Sequence, residues 1–290
     1  MVNAILLSLR PKTLAASLSP VAIGTLLAWQ VTTLNWILLT ITLLSATFIQ
    51  IGTNLANDYY DLKKGTDTEN RLGPKRATHQ GIISLKTTKI AFISAFTAAF
   101  IGGIYLMIIG GWPILIIGLI SIALGVLYTA TPFALAYTGM ADIVSCLFFG
   151  PIAVGGTYFL QTNTISLDIL VYGLAPGLLS TAILVVNNLR DDVEDRQNNK
   201  KTLIVRFGRQ FGRIEYVTCI CLAALLPSII FIKNGTNCWA QLTLTLPIIA
   251  QNQIKSVFYD DSKDLNPTLG KTGRLLLIYT ILVSIGIVVS

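Results

Sequence analysis

The stretch WILLTITLLSATFIQIGTNLANDYY, residues 36–60, joins a long apolar run to an acidic end. It contains no charged side chain before Asp58. An α-helix of roughly 20 apolar residues is long enough to cross the hydrocarbon core of a bilayer. In lipid the backbone must satisfy its own hydrogen bonds, so a run of this kind is helical. The stretch therefore predicts a transmembrane helix with polar side chains at one end.

Apolar runs of this length recur along the whole chain. Of its 290 residues, 53% are hydrophobic and only 12% are charged, whereas soluble domains carry about 25% charged residues. We expect one domain, residues 1–290, that is an all-α integral membrane protein with nine transmembrane helices. The predicted spans are 14–33, 36–60, 88–110, 112–131, 141–160, 168–189, 213–233, 238–253 and 272–289. The eighth is short and is interrupted by Pro247.

The basic residues indicate how the chain is oriented in the membrane. All 21 Lys and Arg except Lys233 lie on or near the predicted inner segments 1–13, 61–87, 132–140, 190–212 and 254–271. This asymmetry follows the positive-inside rule and predicts a cytoplasmic N-terminus. It also accounts for the net charge of +7 without a nucleic-acid partner. The single histidine, His79, argues against a zinc site or a His-based catalytic triad.

Two polar clusters stand at predicted inner helix ends, in NLANDYYDLKKGTD at 54–67 and NNLRDDVEDRQNNKKT at 187–202. Their likeness suggests two related halves of the chain. Side chains at i, i+3, i+4 and i+7 share one helix face, and this spacing holds for the first set, Asn54, Asn57, Asp58 and Asp61. The second set, Asn187, Asp191 and Asp195, follows i, i+4 and i+8.

The clusters have the composition of a site for a metal and a diphosphate. Carboxylates beside the hydrocarbon are costly unless a cation neutralises them, and Mg²⁺ prefers a few such oxygens together with substrate phosphates. Cationic side chains nearby would neutralise phosphate oxygens: Arg71, Lys75, Arg76, Lys200 and Lys201. For one cluster alone, a simpler alternative is that the acids cap helices or pair with Lys63, Lys64, Arg190 or Arg196. The positive-inside bias explains most of the basic residues singly.

The chain resembles the UbiA superfamily of intramembrane prenyltransferases. The resemblance covers essentially the whole chain and rests on the nine-span frame and on RPKTLAASLSPVAIG at 10–24, NLANDYYDLKKGTDTENRLGPKR at 54–76 and NNLRDDVEDRQNNKKTLIVRFG at 187–208. It implies a helical bundle around a central cavity open to the cytoplasmic side of a bacterial inner membrane. It also implies an enzyme that uses Mg²⁺ to transfer a polyprenyl group from its diphosphate to an aromatic acid.

The same resemblance implies roles for individual residues. The metal and the diphosphate would be served by Asn57, Asp58, Asp61, Asp191 and Asp195. Pocket-lining positions fall on Asn54, Asn188, Arg190, Lys200 and Thr202, with Lys200 also counted as catalytic and Arg71 and Arg76 as substrate-binding. Two departures from the superfamily pattern are Asn199, which replaces a glycine, and the wide step from Asp61 to Asp67, which makes Asp67 the weaker candidate.

Aromatic side chains near the inner ends would shield an allylic cation by cation–π contact. The candidates are Tyr59, Tyr60, Tyr128, Phe133 and Tyr137, of which we assign Tyr60 and Tyr128 to the substrate. The alternative for each is anchoring at the membrane interface, which is usual for Tyr at this depth.

The sequence around the motifs resembles the branch of the superfamily that acts on 1,4-dihydroxy-2-naphthoate in menaquinone biosynthesis. The matching segments are RPKT at 10–13, the Asn54 start of the first motif and ENRLGPKR at 69–76. Arg10 or Lys12 would then hold the acceptor carboxylate before it leaves as CO₂. Another acceptor, such as 4-hydroxybenzoate, stays open. Other classes are a non-catalytic quinone-binding protein and a transporter, which would more often carry its acids near the bilayer midplane.

Overall fold

The computed structural model describes residues 10–65, 72–73, 76–130, 134–235 and 238–289, and regular structure within them is entirely helical. The helices are α1 Pro11–Trp29, α2 Trp36–Lys64, α3 Leu85–Leu127, α4 Ala141–Leu147, α5 Ala153–Thr162, α6 Leu167–Arg190, α7 Asp192–Gln197, α8 Leu203–Phe207, α9 Arg209–Asn234, α10 Leu246–Ile249, α11 Gln251–Tyr259 and α12 Leu265–Val289. Six segments of this described part are long and apolar enough to cross a membrane: α2, α3, α4 through α5, α6, α9 and Ser262–Val289. The prediction of an all-α membrane protein is confirmed.

Helix α3 folds back on itself at Gly111. This residue has φ 71° and ψ −171°, a conformation that glycine adopts more easily than residues with a Cβ. Pro113 follows at the start of the second arm, where its missing N–H removes no helical hydrogen bond. Phe96 and Gly125 lie on opposite sides of the turn in sequence, yet a Cβ on Gly125 would be 3.3 Å from the Phe96 ring. The two arms correspond to the predicted spans 88–110 and 112–131.

The segment predicted as the eighth span, 238–253, is broken into short pieces. A 3₁₀ stretch, Cys238–Thr245, is followed by α10 and α11. Pro247 stands in the first turn of α10. A proline is tolerated there, whereas inside a continuous helix it would remove a backbone hydrogen bond. The interruption expected from Pro247 is confirmed.

Helix α6 forms the centre of the bundle. In its most apolar window 72% of the residues are buried, compared with 17% for α3. Gly177 allows α6 to approach α4 closely, since a Cβ there would lie 2.1 Å from the carbonyl oxygen of Cys146. Small residues allow the same close approach between many membrane helices. The second polar cluster thus begins at the end of a firmly packed helix.

Candidate active site

The polar side chains of the first cluster are buried at the inner end of α2. Asn54, Asn57, Asp58 and Asp61 are each less than a tenth exposed. Gly65, with φ 71°, caps α2 in the left-handed conformation and ends the helix one turn after Asp61. The four residues lie on the single helix face that their spacing predicts.

Two arginines from outside α2 neutralise its carboxylates. Arg10, directly before α1, forms an ion pair with Asp58. Arg76 bridges both acids, with Nε 3.1 Å from Asp58 Oδ1 and Nη1 donating to Asp61 Oδ2 at 2.8 Å. Buried carboxylates require such partners. The acids therefore pair with Arg10 and Arg76, whereas Lys64, a neighbour in sequence, donates to the carbonyl of Thr129.

The two asparagines of the first cluster are held by threonines from α1 and from the turn after α3. Asn54 donates from Nδ2 to Thr13 Oγ1 of α1 at 3.1 Å. Asn57 accepts at Oδ1 from Thr129 Oγ1 at 2.9 Å. A carbonyl oxygen has two lone pairs, so this contact leaves one for a metal ion. Thr129 was not expected at the site, although it follows Tyr128, which was.

The second cluster is not one continuous helix, contrary to the expectation from its spacing. The backbone leaves helical values at Asp191 (φ −97°, ψ 9°), between α6 and α7. Arg209 provides the physical reason, because its Nη1 donates to the Leu189 carbonyl and to Asp192 Oδ1, both at 2.9 Å. It thereby satisfies a carbonyl that loses its helical partner at the helix end.

The register of the second cluster nevertheless survives the break. The backbone N–H of Asp191 donates to the backbone carbonyl of Asn187 at 3.1 Å, and the backbone N–H of Asp195 donates to the backbone carbonyl of Asp191 at 2.7 Å. Asn187, Asp191 and Asp195 are therefore still linked by i to i+4 hydrogen bonds across the break.

Arg190 turns its guanidinium toward the second cluster. Its side chain is 2% exposed, and it donates to both carboxylate oxygens of Asp191, at 2.7 and 2.6 Å. It also donates to Asn187 Oδ1 at 2.8 Å and to Asn266 Oδ1 at 3.0 Å. A planar guanidinium suits such bidentate contacts. The structure places this predicted substrate-binding residue against Asp191 rather than in open space.

Lys200 is influenced by carboxylates of both clusters. Its Nζ is 3.4 Å from Asp195 Oδ1. Burial alone would lower the pKa of Lys200, but the carboxylates of Asp61 and Asp195 raise it above its usual value. Burial is the largest cause of the raised pKa of Tyr137; Lys200 lowers this pKa, and Asp61 and Asp195 raise it further. Acids from both clusters thus act on the same two side chains, so the two clusters lie near one another.

Asp195 has an environment that favours a bound cation. Its burial raises the pKa of the carboxyl to about 6, and Asp191 adds to this rise while Lys200 opposes it. A carboxylate held in this way gains when another positive charge arrives. Lys200 alone does not restore the ordinary pKa.

The remaining predicted residues have varied surroundings. Tyr60 packs in an aromatic cluster, with ring centroids 5.1 Å from Tyr59 and 6.2 Å from Phe92. Tyr128 is half-buried beside Thr129, and Asn188 is buried in α6. Thr202 accepts from the Val205 N–H at 3.2 Å and so caps α8. Arg71 and Phe133, together with the side chain of Lys12, lie outside the described residues.

The donor set fits a magnesium ion shared with a substrate. Asp58 Oδ2 is buried and has no hydrogen-bond partner in the described part of the chain, and such an atom is costly unless something binds it. Within the same residues, no group of three or more His, Cys, Asp or Glu side chains is able to hold a metal by itself. Mg²⁺ usually takes one or two carboxylates and completes its shell with water and phosphate oxygens. A few carboxylates on each side of a diphosphate meet that requirement.

The chain is similar to known prenyltransferases in sequence and in fold. Residues 17–281 match the UbiA prenyltransferase family. The 1,4-dihydroxy-2-naphthoate octaprenyltransferase of Escherichia coli is 33% identical, over 98% of this chain and 94% of that protein. The enzyme of the same name from Haemophilus influenzae is 32% identical, over 97% and 94%. A solved UbiA homolog from Archaeoglobus fulgidus, bound to GPP and Mg²⁺, shares the fold with a TM-score of 0.72 at 17% identity, covering 99% of this chain and all of that one. The chain belongs to the UbiA prenyltransferase family.

Proposed function

We propose that this protein transfers a polyprenyl group from polyprenyl diphosphate to 1,4-dihydroxy-2-naphthoate, with loss of CO₂, and so makes demethylmenaquinol for menaquinone biosynthesis. The enzyme class rests on membership of the UbiA prenyltransferase family and on two aspartate clusters at helix ends, in which Asp58, Asp61 and Asp195 are buried beside arginine or lysine side chains. The acceptor rests on the near full-length similarity to naphthoate octaprenyltransferases.

In this proposal Asn57, Asp58 and Asp61 of the first cluster and Asp191 and Asp195 of the second would hold Mg²⁺ together with the diphosphate. The bound metal supplies a Lewis acid that neutralises charge on the diphosphate. Arg10, Arg76 and Lys200 already stand beside these carboxylates. They prevent the acids from repelling an anionic substrate and stabilise the charge that develops on the leaving group.

The reaction then balances without an added proton or oxidant. The allylic C1–O bond breaks, and its electron pair leaves with the diphosphate. The ring carbon that bears the carboxylate attacks C1, and the electrons of the C–CO₂ bond return to the ring as CO₂ departs. Arg10 or Lys12 would hold the carboxylate before this step. Tyr60 and Tyr128 remain our proposed aromatic contacts to the substrate.

The test of the enzyme class and its acceptor is an assay with purified protein, one polyprenyl diphosphate, Mg²⁺ and several aromatic acids, read by mass spectrometry. We expect a prenylated product from the naphthoate at a higher rate than from 4-hydroxybenzoate, and no product after magnesium is chelated. Faster reaction of 4-hydroxybenzoate would contradict the acceptor. Absence of any prenylated product would contradict the enzyme class and favour a transporter or a quinone-binding protein.

We further propose a single domain, residues 1–290, with nine crossings of the bacterial inner membrane around a central cavity, and with the N-terminus and the active site facing the cytoplasm. Three features support the count: α3 folds back at Gly111, Thr13–Trp29 is a shorter apolar helix, and the broken segment 238–259 stands where an eighth crossing is expected.

Cysteine-accessibility labelling of intact cells tests this topology. Single cysteines in 76–84 and 198–202 are expected to react only after the cells are opened. A cysteine at Asn234, at the far end of α9, is expected to react from outside. Reaction of both inner loops from outside would reverse the orientation and move the active site with it.

A further inference from the structure

Residues 262–266, which run into the first turn of α12, contact the second aspartate cluster at two points. Ser262 accepts at Oγ from Arg209 Nη1 at 2.9 Å, and the same nitrogen donates to Asp192. Asn266 accepts at Oδ1 from Arg190 Nη1 at 3.0 Å, and Arg190 holds both oxygens of Asp191. This segment therefore reaches the cluster through two separate arginines.

Asn266 also contacts the other side of the site. Its Nδ2 donates to the carbonyl oxygen of Leu72 at 2.6 Å. Leu72 stands four residues before Arg76, which bridges Asp58 and Asp61. The amide of Asn266 thus joins the segment that leads to Arg76, at the first cluster, to Arg190, at the second cluster.

The chemistry of the amide makes this position specific. Asn266 must present an acceptor to Arg190 and a donor to Leu72 at the same time, which a carboxylate or a hydroxyl on the same stem reproduces less well. Arg190 is 2% exposed and gives its other N–H groups to Asn187 and Asp191. The planar guanidinium of Arg190 therefore fixes the orientation of the Asp191 carboxylate through Nε and Nη2. Asn266 holds the same guanidinium through Nη1.

We propose that Asn266 is a positioning residue that aligns Asp191 through Arg190 and holds the Leu72 backbone, so that both aspartate clusters engage one magnesium–diphosphate group. The inference rests on the proposed prenyltransferase function. In that role Asn266 does not touch the substrate. It acts on the affinity for the metal and the diphosphate and leaves the affinity for the aromatic acceptor unchanged.

Two variants separate the two contacts of the amide. Asn266→Ala removes both, and Asn266→Asp keeps an acceptor for Arg190 but loses the donor to Leu72. Asn234→Ala is the matched control, because Asn234 donates to Asp168 at 2.9 Å at the opposite end of the bundle. The full-length purified proteins are compared by thermal melting, by binding of geranyl thiolodiphosphate with titrated Mg²⁺, and by steady-state kinetics with each substrate varied.

Loss of a hydrogen bond to a charged group changes an equilibrium by on the order of tenfold. We expect Asn266→Ala to raise the half-saturating Mg²⁺ concentration and the KM for polyprenyl diphosphate about tenfold, with the acceptor KM unchanged. Asn266→Asp is expected to raise the KM for the diphosphate and to leave the Mg²⁺ requirement near that of the unmodified protein. The control is expected to change neither.

The proposal is overturned if both Asn266 variants match Asn234→Ala in magnesium and diphosphate affinity. It is equally overturned if kcat falls with no change in either affinity. Should Asn266→Ala fail to fold, the Asn266→Asp result decides alone. Failure of the unmodified protein to bind geranyl thiolodiphosphate would instead contradict the proposed function, so the two failures are distinguishable.

Discussion

Replacement of Asp58, Asp61, Asp191 or Asp195 by asparagine is expected to lower kcat by on the order of a hundredfold or more in each case. Asparagine keeps the size of the side chain and one oxygen but removes the negative charge that holds Mg²⁺. Each loss weakens the charge stabilisation that the leaving diphosphate needs as the C1–O bond breaks.

These substitutions also leave a cation without its partner, so the folded state must be checked. Arg76 bridges Asp58 and Asp61, and Arg190 forms a bidentate ion pair with Asp191. Breaking a buried ion pair costs about 3–5 kcal/mol of stability. Thermal melting and membrane insertion therefore have to be measured beside the rates, and only variants that retain the native melting profile are compared by kcat.

Asp168→Asn is the matched control for this series. Asp168 lies at the far end of α6 and pairs with Lys233 at 2.7 Å. This pair is solvent-exposed, and exposed pairs contribute about 0–1 kcal/mol. We expect near-normal kcat and stability. Near-normal activity of two of the four site variants at saturating Mg²⁺ would contradict the assignment of the clusters to the diphosphate.

The fold could be predicted from the sequence where local chemistry decides it. Apolar runs define the long helices, and the boundary between the predicted spans 88–110 and 112–131 falls at Gly111, where α3 reverses. Pro247 predicts an interruption, and the structure places one there. These features depend on neighbours along the chain, so periodicity and backbone chemistry are sufficient to find them.

The partners of the site residues could not be predicted in the same way. Arg10 and Asp58 are 48 residues apart, and Asn266 contacts a residue 194 positions away. Such contacts depend on how helices pack, which no local pattern records. The break at Asp191 has the same origin, because Arg209 reaches it from a different helix. The alternative in which Arg190 pairs with the second cluster was visible in the sequence, since the two residues are adjacent.

The sequence motif of the first cluster predicted its shared face correctly but not its counter-ions. Lys63 and Lys64 are adjacent in sequence, yet Lys63 lies 6.0 Å from the ring centroid of Tyr59 and Lys64 lies 4.9 Å from that of Tyr137. Lys63, two positions beyond Asp61, projects in another direction. Lys64 shares the helix face of Asp61 at i+3, but it donates its hydrogen bond to the carbonyl of Thr129. The cations that reach Asp58 and Asp61 come instead from Arg10 and Arg76.

The coupling of prenylation to decarboxylation is tested with 1,4-dihydroxy-2-naphthoate labelled at its carboxyl carbon. Purified protein is incubated with this substrate, a polyprenyl diphosphate and Mg²⁺, and the released label and the prenylated product are counted together. We expect one labelled CO₂ for each prenylated molecule at every time point, and neither product when Mg²⁺ is withheld. A prenylated product that retains the label, or CO₂ released without prenyl transfer, would contradict this coupling.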